Sequence, residues 1–132
     1  METTHKQIVL GILAHVDSGK TTLSEAMLYR AGMIPEMGSI QRGTTMCDND
    51  LLEKEVGHSI RLAVAHIDTA MTDLTPVRIH ILDTPGYPDY LGQDMSALDA
   101  VKSVCAVIDP TKGPELLTRR LMAMAKERGL CR

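Results

Sequence analysis

The segment AHVDSGKT, Ala14–Thr21, decides the fold that this sequence predicts. It follows the apolar run IVLGILA, Ile8–Ala14, which is typical of a parallel strand buried on both faces. It opens a stretch with helical periodicity, Thr21–Ala31, whose predicted inward stripe consists of Leu23, Ala26, Met27 and Ala31. A loop between a buried strand and a helix is the context in which a phosphate-binding loop works.

The residue types in this loop suit phosphate. Backbone N–H groups at a helix N-terminus attract anions, and Gly19 lets the backbone approach the ligand closely. Lys20 can reach the β- and γ-phosphates of a nucleotide, and the Thr21 hydroxyl can bind Mg²⁺. The strict motif G-x-x-x-x-G-K-[ST] has glycine where this chain has Ala14, so a chance Gly-Lys-Thr is the alternative. The predicted ligand-binding residues here are His15, Val16, Asp17, Ser18, Gly19, Lys20, Thr21 and Thr22.

A second motif, DTPG, lies at Asp83–Gly86, at the end of the alternating strand Val77–Asp83. Asp83 can hold Mg²⁺ directly or through water, and the N–H of Gly86 can contact a γ-phosphate. An ordinary turn is the alternative, since Asp, Pro and Gly are common turn residues. The pairing of this motif with the phosphate loop favours the binding site.

The long segment Met33–Gly57 is polar and lacks a clear period, which predicts a loop with a short helix at Asn49–Lys54. Ser59 follows it, before the predicted strand Ile60–Asp68. Its hydroxyl could complete the Mg²⁺ shell when a γ-phosphate is bound, or Ser59 is simply a turn residue.

The remaining elements predict a strand at Ser103–Asp109 and a helix at Pro114–Arg128. A further helical stripe precedes them, formed by Leu91, Met95, Leu98 and Val101. The inward residues of the last helix are Leu117, Leu121, Met124 and Ala125. The order β-α-loop-β-β-α-β-α predicts an α/β fold with a mainly parallel sheet.

Composition bounds the function. A chain of 132 residues suits one domain, and its net charge of −3 argues against direct DNA binding. Three widely spaced cysteines form no disulfide framework, which predicts a reduced, cytoplasmic setting. The polar start METTHKQ shows no signal peptide, and no apolar run approaches the roughly 20 residues of a membrane span.

Together these motifs resemble the translational GTPases, most closely elongation factor G, its paralogues and the ribosomal protection proteins. The resemblance rests on AHVDSGKTTLSEAMLYRAG, GTTMCDNDLLEKEVGHSI and VRIHILDTPGYPDY, and it extends from about Ile8 to Cys131. It implies a three-layer α/β P-loop NTPase fold that binds GTP or GDP with Mg²⁺, in which an alanine at position 14 is a normal variant. It also implies a Mg²⁺ site formed by Thr21, Ser59 and Asp83, and the ribosome as the partner of the full-length protein.

The sequence departs from this family at two places. Tyr87 stands where the family usually has the histidine that orients the attacking water, and a phenol cannot replace an imidazole at neutral pH. The guanine-reading motif N-K-x-D does not occur in this sequence. Residues 1–132 are therefore expected to be a partial GTP-binding domain, without its last strands and the downstream domains. An exposed edge at Ser103–Asp109 would then invite self-association.

The expected function is GTP binding and hydrolysis by in-line attack of water on the γ-phosphate. Lys20, Gly86 and Tyr87 occupy the catalytic positions, with the role of Tyr87 in question. Two alternatives stay open: a nucleotide-binding switch with little turnover, and a fragment or interaction module without activity of its own.

Overall fold

The computed structural model describes residues 6–46, 62–71, 73–86, 89 and 91–132. The strands are β1 (Lys6–Leu13), β2 (Ala63–Ala70), β3 (Pro76–Asp83) and β4 (Ser103–Ala106). The helices are α1 (Lys20–Arg30), α2 (Leu91–Ala100) and α3 (Leu116–Glu127), with a short 3₁₀ turn at Ile40–Arg42. The predicted helix at Asn49–Lys54 lies outside the described residues.

The four strands form one sheet in the order β2-β3-β1-β4. β1 runs parallel to both β3 and β4, whereas β2 pairs antiparallel with β3, which confirms the predicted mainly parallel sheet. In the parallel register Ile12 lies opposite Asp83, so β1 and β3 end at the same edge of the sheet. The loops that follow these two strands are therefore neighbours, and both carry a predicted motif.

Helices cover both faces of the sheet. Successive residues of a strand point to opposite faces, and Ile12 and Leu13 of β1 are both fully buried. Leu13 belongs to a core shared with α2 and α3, which contains Leu82, Ala97, Leu98, Val101, Val104, Leu121 and Ala125. Ile12 belongs to a second core beneath α1, with Leu28, Ala65, Ile67 and Ile81. This is the three-layer α/β arrangement that the sequence predicts.

Two predicted helix stripes are wrong in part. Leu23 of α1 is 37% exposed and Met95 of α2 is 38% exposed. The buried positions beside them are polar: Ser24 and Glu25 in α1, and Asp94 in α2. Apolar periodicity finds the face that meets an apolar core, but these two helices also bury polar side chains against nearby loops.

The edge strand predicted at Ser103–Asp109 is shorter in the structure, and its exposed edge is paired in part. β4 ends at Ala106, and Cys131 forms a parallel bridge with Ser103. The Val104 N–H donates to the Cys131 carbonyl at 2.8 Å, and the Cys131 N–H donates to the Lys102 carbonyl at 3.1 Å. The chain thus pairs the first part of this edge itself, and self-association stays an expectation. Among the described residues, no helix has the length and apolar character needed to span a membrane.

Candidate nucleotide-phosphate site

The phosphate loop lies between the end of β1 and the start of α1. Asp17 and Gly19 adopt the left-handed conformation, with φ of 58° and 90°, which turns the chain sharply into the helix. Gly19 is the N-cap of α1, and no side chain among the described residues caps it by a hydrogen bond. The first turn of α1 contains no acidic residue. The start of α1 therefore presents uncapped N–H groups and positive potential, which suits an anion.

The two predicted metal ligands in the described part of the chain lie together. The Thr21 hydroxyl donates to Oδ2 of Asp83 at 2.9 Å, and both residues are buried. Thr84 anchors the DTPG segment, because its hydroxyl donates to the Ile12 carbonyl at 3.0 Å. A hydroxyl and a carboxylate are oxygen ligands of the kind that Mg²⁺ prefers, so the pair fits this ion. Ser59, the third predicted ligand, lies outside the described residues.

Lys20 and Gly86 meet above the phosphate loop. The Lys20 side chain is only 6% exposed, and its Nζ would lie 3.2 Å from a Cβ placed on Gly86. That Cβ would also lie 2.8 Å from the Ala14 carbonyl oxygen, and Gly86 has a φ of +77°. Close approach and backbone conformation therefore both require glycine here. Tyr87 lies outside the described residues, so its predicted role is not tested.

Gly86→Ala is expected to lower the free energy of unfolding by about 1–2 kcal/mol, the usual cost of a left-handed non-glycine residue. The new methyl group would also push the DTPG segment away from Ala14 and Lys20. Urea denaturation measures the loss, and Gly92→Ala in α2 is the control, because nothing lies within 4 Å of a Cβ there. Equal unfolding midpoints for the two variants would contradict this interpretation of Gly86.

His15 points its side chain toward α3. It is buried, and its Nε2 lies 3.3 Å from Oε1 of Glu115, the N-cap residue of that helix. The Ser18 hydroxyl donates to the His15 carbonyl at 2.8 Å, which tightens the loop. A phosphate contact of His15 would therefore come from its backbone. Of the other predicted binding residues, Val16 is half-buried, and Asp17 and Thr22 are exposed.

Asp94 is a functional candidate that the sequence reasoning missed. It is fully buried in α2, and neither carboxylate oxygen has a hydrogen-bond partner among the described residues. Burial raises the pKa of Asp94 to about 6, and the nearby Thr84 hydroxyl, Lys20 ammonium and Gly86 amide limit this rise, although neither Thr84 nor Gly86 donates a well-formed hydrogen bond to the carboxylate. Asp94 lies three residues after Leu91 and four before Leu98, which places it on the inward face of α2. This spacing could have predicted its burial.

Glu25 is the second residue that was missed. It is buried in α1 on the same face as Thr21 and Leu28, and its carboxylate accepts from the backbone N–H groups of Gly38 and Met46. Its spacing of four from Thr21 could have placed it on that face, although apolar periodicity alone could not.

Known proteins share this sequence and this fold. The model of the elongation factor Tu GTP-binding domain family matches residues 5–132. The tetracycline resistance protein TetM from transposon Tn1545 of Enterococcus faecalis is 38% identical over 125 residues, which cover 95% of this chain and 19% of that protein.

Solved structures agree with this match. A crystal structure of a protein from Thermus thermophilus has a TM-score of 0.84 and 31% identity, covering 93% of this chain and 18% of that one. A bacterial selenocysteine-specific elongation factor has a TM-score of 0.73 and 26% identity, covering 95% of this chain and 18% of that one. The chain spans about a fifth of the length of these proteins.

Proposed function

This chain belongs to the elongation factor Tu GTP-binding domain family, and from that premise we propose that it binds GTP and GDP with Mg²⁺. In the proposal it is part of the G domain of a ribosomal GTPase similar to elongation factor G and the tetracycline resistance proteins. The observation that carries the proposal is the convergence of Lys20, Thr21, Asp83 and Gly86 where β1 and β3 end. Each of these side-chain or backbone groups suits one part of a nucleotide phosphate chain.

Their chemical roles follow from their charges and donors. The Lys20 ammonium neutralises charge on the β- and γ-phosphates, and the N–H groups at the start of α1 surround the phosphate oxygens. The Gly86 N–H reports whether a γ-phosphate is present. Mg²⁺ would be held by Thr21 and Asp83, with Ser59 as a proposed third ligand, and it neutralises the charge of the phosphate oxygens when bound. Hydrolysis is the in-line attack of a water on the γ-phosphate.

A titration of the 132-residue chain with fluorescent GDP and fluorescent ADP, in Mg²⁺ and in EDTA, tests the binding proposal. We expect saturable binding of GDP, weaker binding of ADP and a loss of affinity in EDTA. Circular dichroism must first establish that the sample is folded. A folded chain that binds neither nucleotide would refute the proposal for this chain.

A switch with little turnover is the second candidate, and Tyr87 in the place of the family histidine favours it. Phosphate release from GTP, measured with and without ribosomes, separates the two functions. If Tyr87 limits turnover, Tyr87→His should increase ribosome-stimulated phosphate release and leave GDP affinity unchanged, because an imidazole can orient water at neutral pH. Equal release from both chains would remove Tyr87 as the cause. In either case we propose that the full-length protein acts on the ribosome in the cytoplasm.

A further inference from the structure

Two histidines lie directly opposite each other in the antiparallel pair of β2 and β3. His66 of β2 is the register partner of His80 of β3. The Cβ atoms of such opposed residues lie about 4.5–5.5 Å apart, on the same face of the sheet. Two imidazole rings at this separation can reach one ion between them, because a metal–nitrogen bond is about 2.0–2.1 Å long. The strand register therefore brings two side chains that can bind a metal to one point.

The face of the sheet that carries this pair is open to solvent over β2. The neighbours of His66 along the strand, Ala65 and Ile67, are buried in the core beneath α1, so His66 points to the other face. On that face His66 is exposed, His80 is half-buried and Val64 is 66% exposed. The core under α2 and α3 covers β1 and β4 on this face and leaves Val64 and His66 uncovered. An ion from solution can therefore reach both rings.

A hydrogen bond fixes which nitrogen of His80 is available. Its Nε2 lies 2.6 Å from Oε1 of Gln7, a residue of the neighbouring strand β1. The amide oxygen can only accept, so Nε2 carries the proton and the lone pair of the neutral ring lies on Nδ1. Histidines that bind metals almost always donate their other ring N–H to an oxygen acceptor, which holds the ring and its tautomer. His80 therefore already has the partner that a metal ligand requires.

The donor atoms indicate which ions fit. Imidazole nitrogen suits Zn²⁺, Cu²⁺ and Ni²⁺, whereas Mg²⁺ prefers oxygen. Asp68, the one acidic residue of β2, holds Arg78 through two hydrogen bonds of 2.6 and 2.8 Å. In the described part of the chain no third His, Cys, Asp or Glu completes a metal-binding group of three with the two histidines. Water would occupy the remaining positions of the ion, which can therefore exchange with solution.

We propose that His66 and His80 bind one divalent transition-metal ion of the Zn²⁺ and Cu²⁺ class, with Gln7 as the residue that orients His80. The ion would join the edge strand β2 to β3 and stabilise their pairing. This site is separate from the proposed Mg²⁺ site at Thr21 and Asp83. Asp83 is the last residue of β3, roughly 10 Å along the strand from His80. The inference does not depend on nucleotide binding.

Calorimetric titration with ZnCl₂, in excess Mg²⁺, tests the site as a double-mutant cycle. Two ligands of one ion act as a unit, so His66→Gln and His80→Gln should each weaken binding at least about tenfold. The double variant should bind no more weakly than either single variant. Excess Mg²⁺ keeps Zn²⁺ from the oxygen ligands Thr21 and Asp83, and the cysteines are the same in all four chains.

A matched control keeps the number of histidines constant. Thr69 is exposed on β2, an odd number of residues from His66, so its side chain points to the opposite face of the sheet. Thr69→His added to His66→Gln therefore restores an imidazole to the strand without restoring the pair. This chain should bind Zn²⁺ as weakly as His66→Gln alone.

Nuclear magnetic resonance of the ring nitrogens of the natural chain is a second measurement, which needs no variant to fold. Zn²⁺ should shift the Nδ1 signal of His80 and leave its Nε2 protonated. The shared site would be refuted if neither single variant lost affinity, if the two losses added in the double variant, or if the relocated histidine restored binding. Ring nitrogens of the natural chain that do not respond to Zn²⁺ would also refute it, whatever the result with GDP.

Discussion

Lys20→Ala is expected to weaken binding of GDP at least about 100-fold, a loss of roughly 2.7 kcal/mol. Lys20 is buried, so its ammonium would meet a phosphate in a site with little water. Charge-assisted hydrogen bonds are strongest where water is excluded, and the variant leaves the phosphate charge without its main counter-charge. Displacement of fluorescent GDP by unlabelled GDP, in Mg²⁺, measures the two dissociation constants.

Lys102→Ala is the matched control for this loss. Lys102 is exposed and immediately precedes β4, so it lies at the end of the parallel sheet opposite to the phosphate loop. Its replacement removes the same charge from the chain without touching the site. If Lys20→Ala and Lys102→Ala bound GDP with equal affinity, Lys20 would act only through the net charge of the chain. That result would contradict the prediction.

The sequence predicted the centre of the candidate site because strand topology determines it. The apolar run before Ala14 and the alternating run before Thr84 predict strands, and parallel strands end at one edge. The Thr21 and Asp83 side chains therefore had to lie near each other, and their hydrogen bond confirms it. The two segments that carry the site residues are thus the same two that follow the neighbouring strands β1 and β3.

The residues that support this centre were not predictable in the same way. Glu25 and Asp94 are charged, and apolar periodicity assigns such residues to the solvent face. Glu25 is buried because a distant loop supplies two N–H donors, which only the tertiary structure reveals. The pairing of Cys131 with β4 likewise depends on where α3 ends, which no local pattern gives.

Asp94→Asn is expected to stabilise the chain near neutral pH and to do so less in acid. Burial raises the pKa of Asp94 from 3.8 to about 6, so the folded chain binds this proton more tightly than the unfolded chain does. Ionisation therefore costs stability: the cost is absent below the unfolded pKa, grows as pH rises through the interval between the two values, and is complete above the folded pKa. At 1.36 kcal/mol per pKa unit the full cost is roughly 3 kcal/mol.

The decisive measurement is how the unfolding free energy changes with pH. Any cost of burying the asparagine amide is the same at every pH, so it does not affect this change. From pH 4.5 to pH 7.5 the unfolding free energy of Asp94→Asn, relative to that of the natural chain, should rise by about 2 kcal/mol. Asp99→Asn on the same helix is the control for loss of a surface carboxylate, since the Asp99 side chain is 68% exposed. If the unfolding free energy of Asp94→Asn relative to the natural chain did not change with pH, then Lys20, Thr84 and Gly86 would stabilise the ionised carboxylate enough to offset its burial. The Asp94 carboxylate would then be ionised beside the phosphate site at neutral pH without a cost to stability.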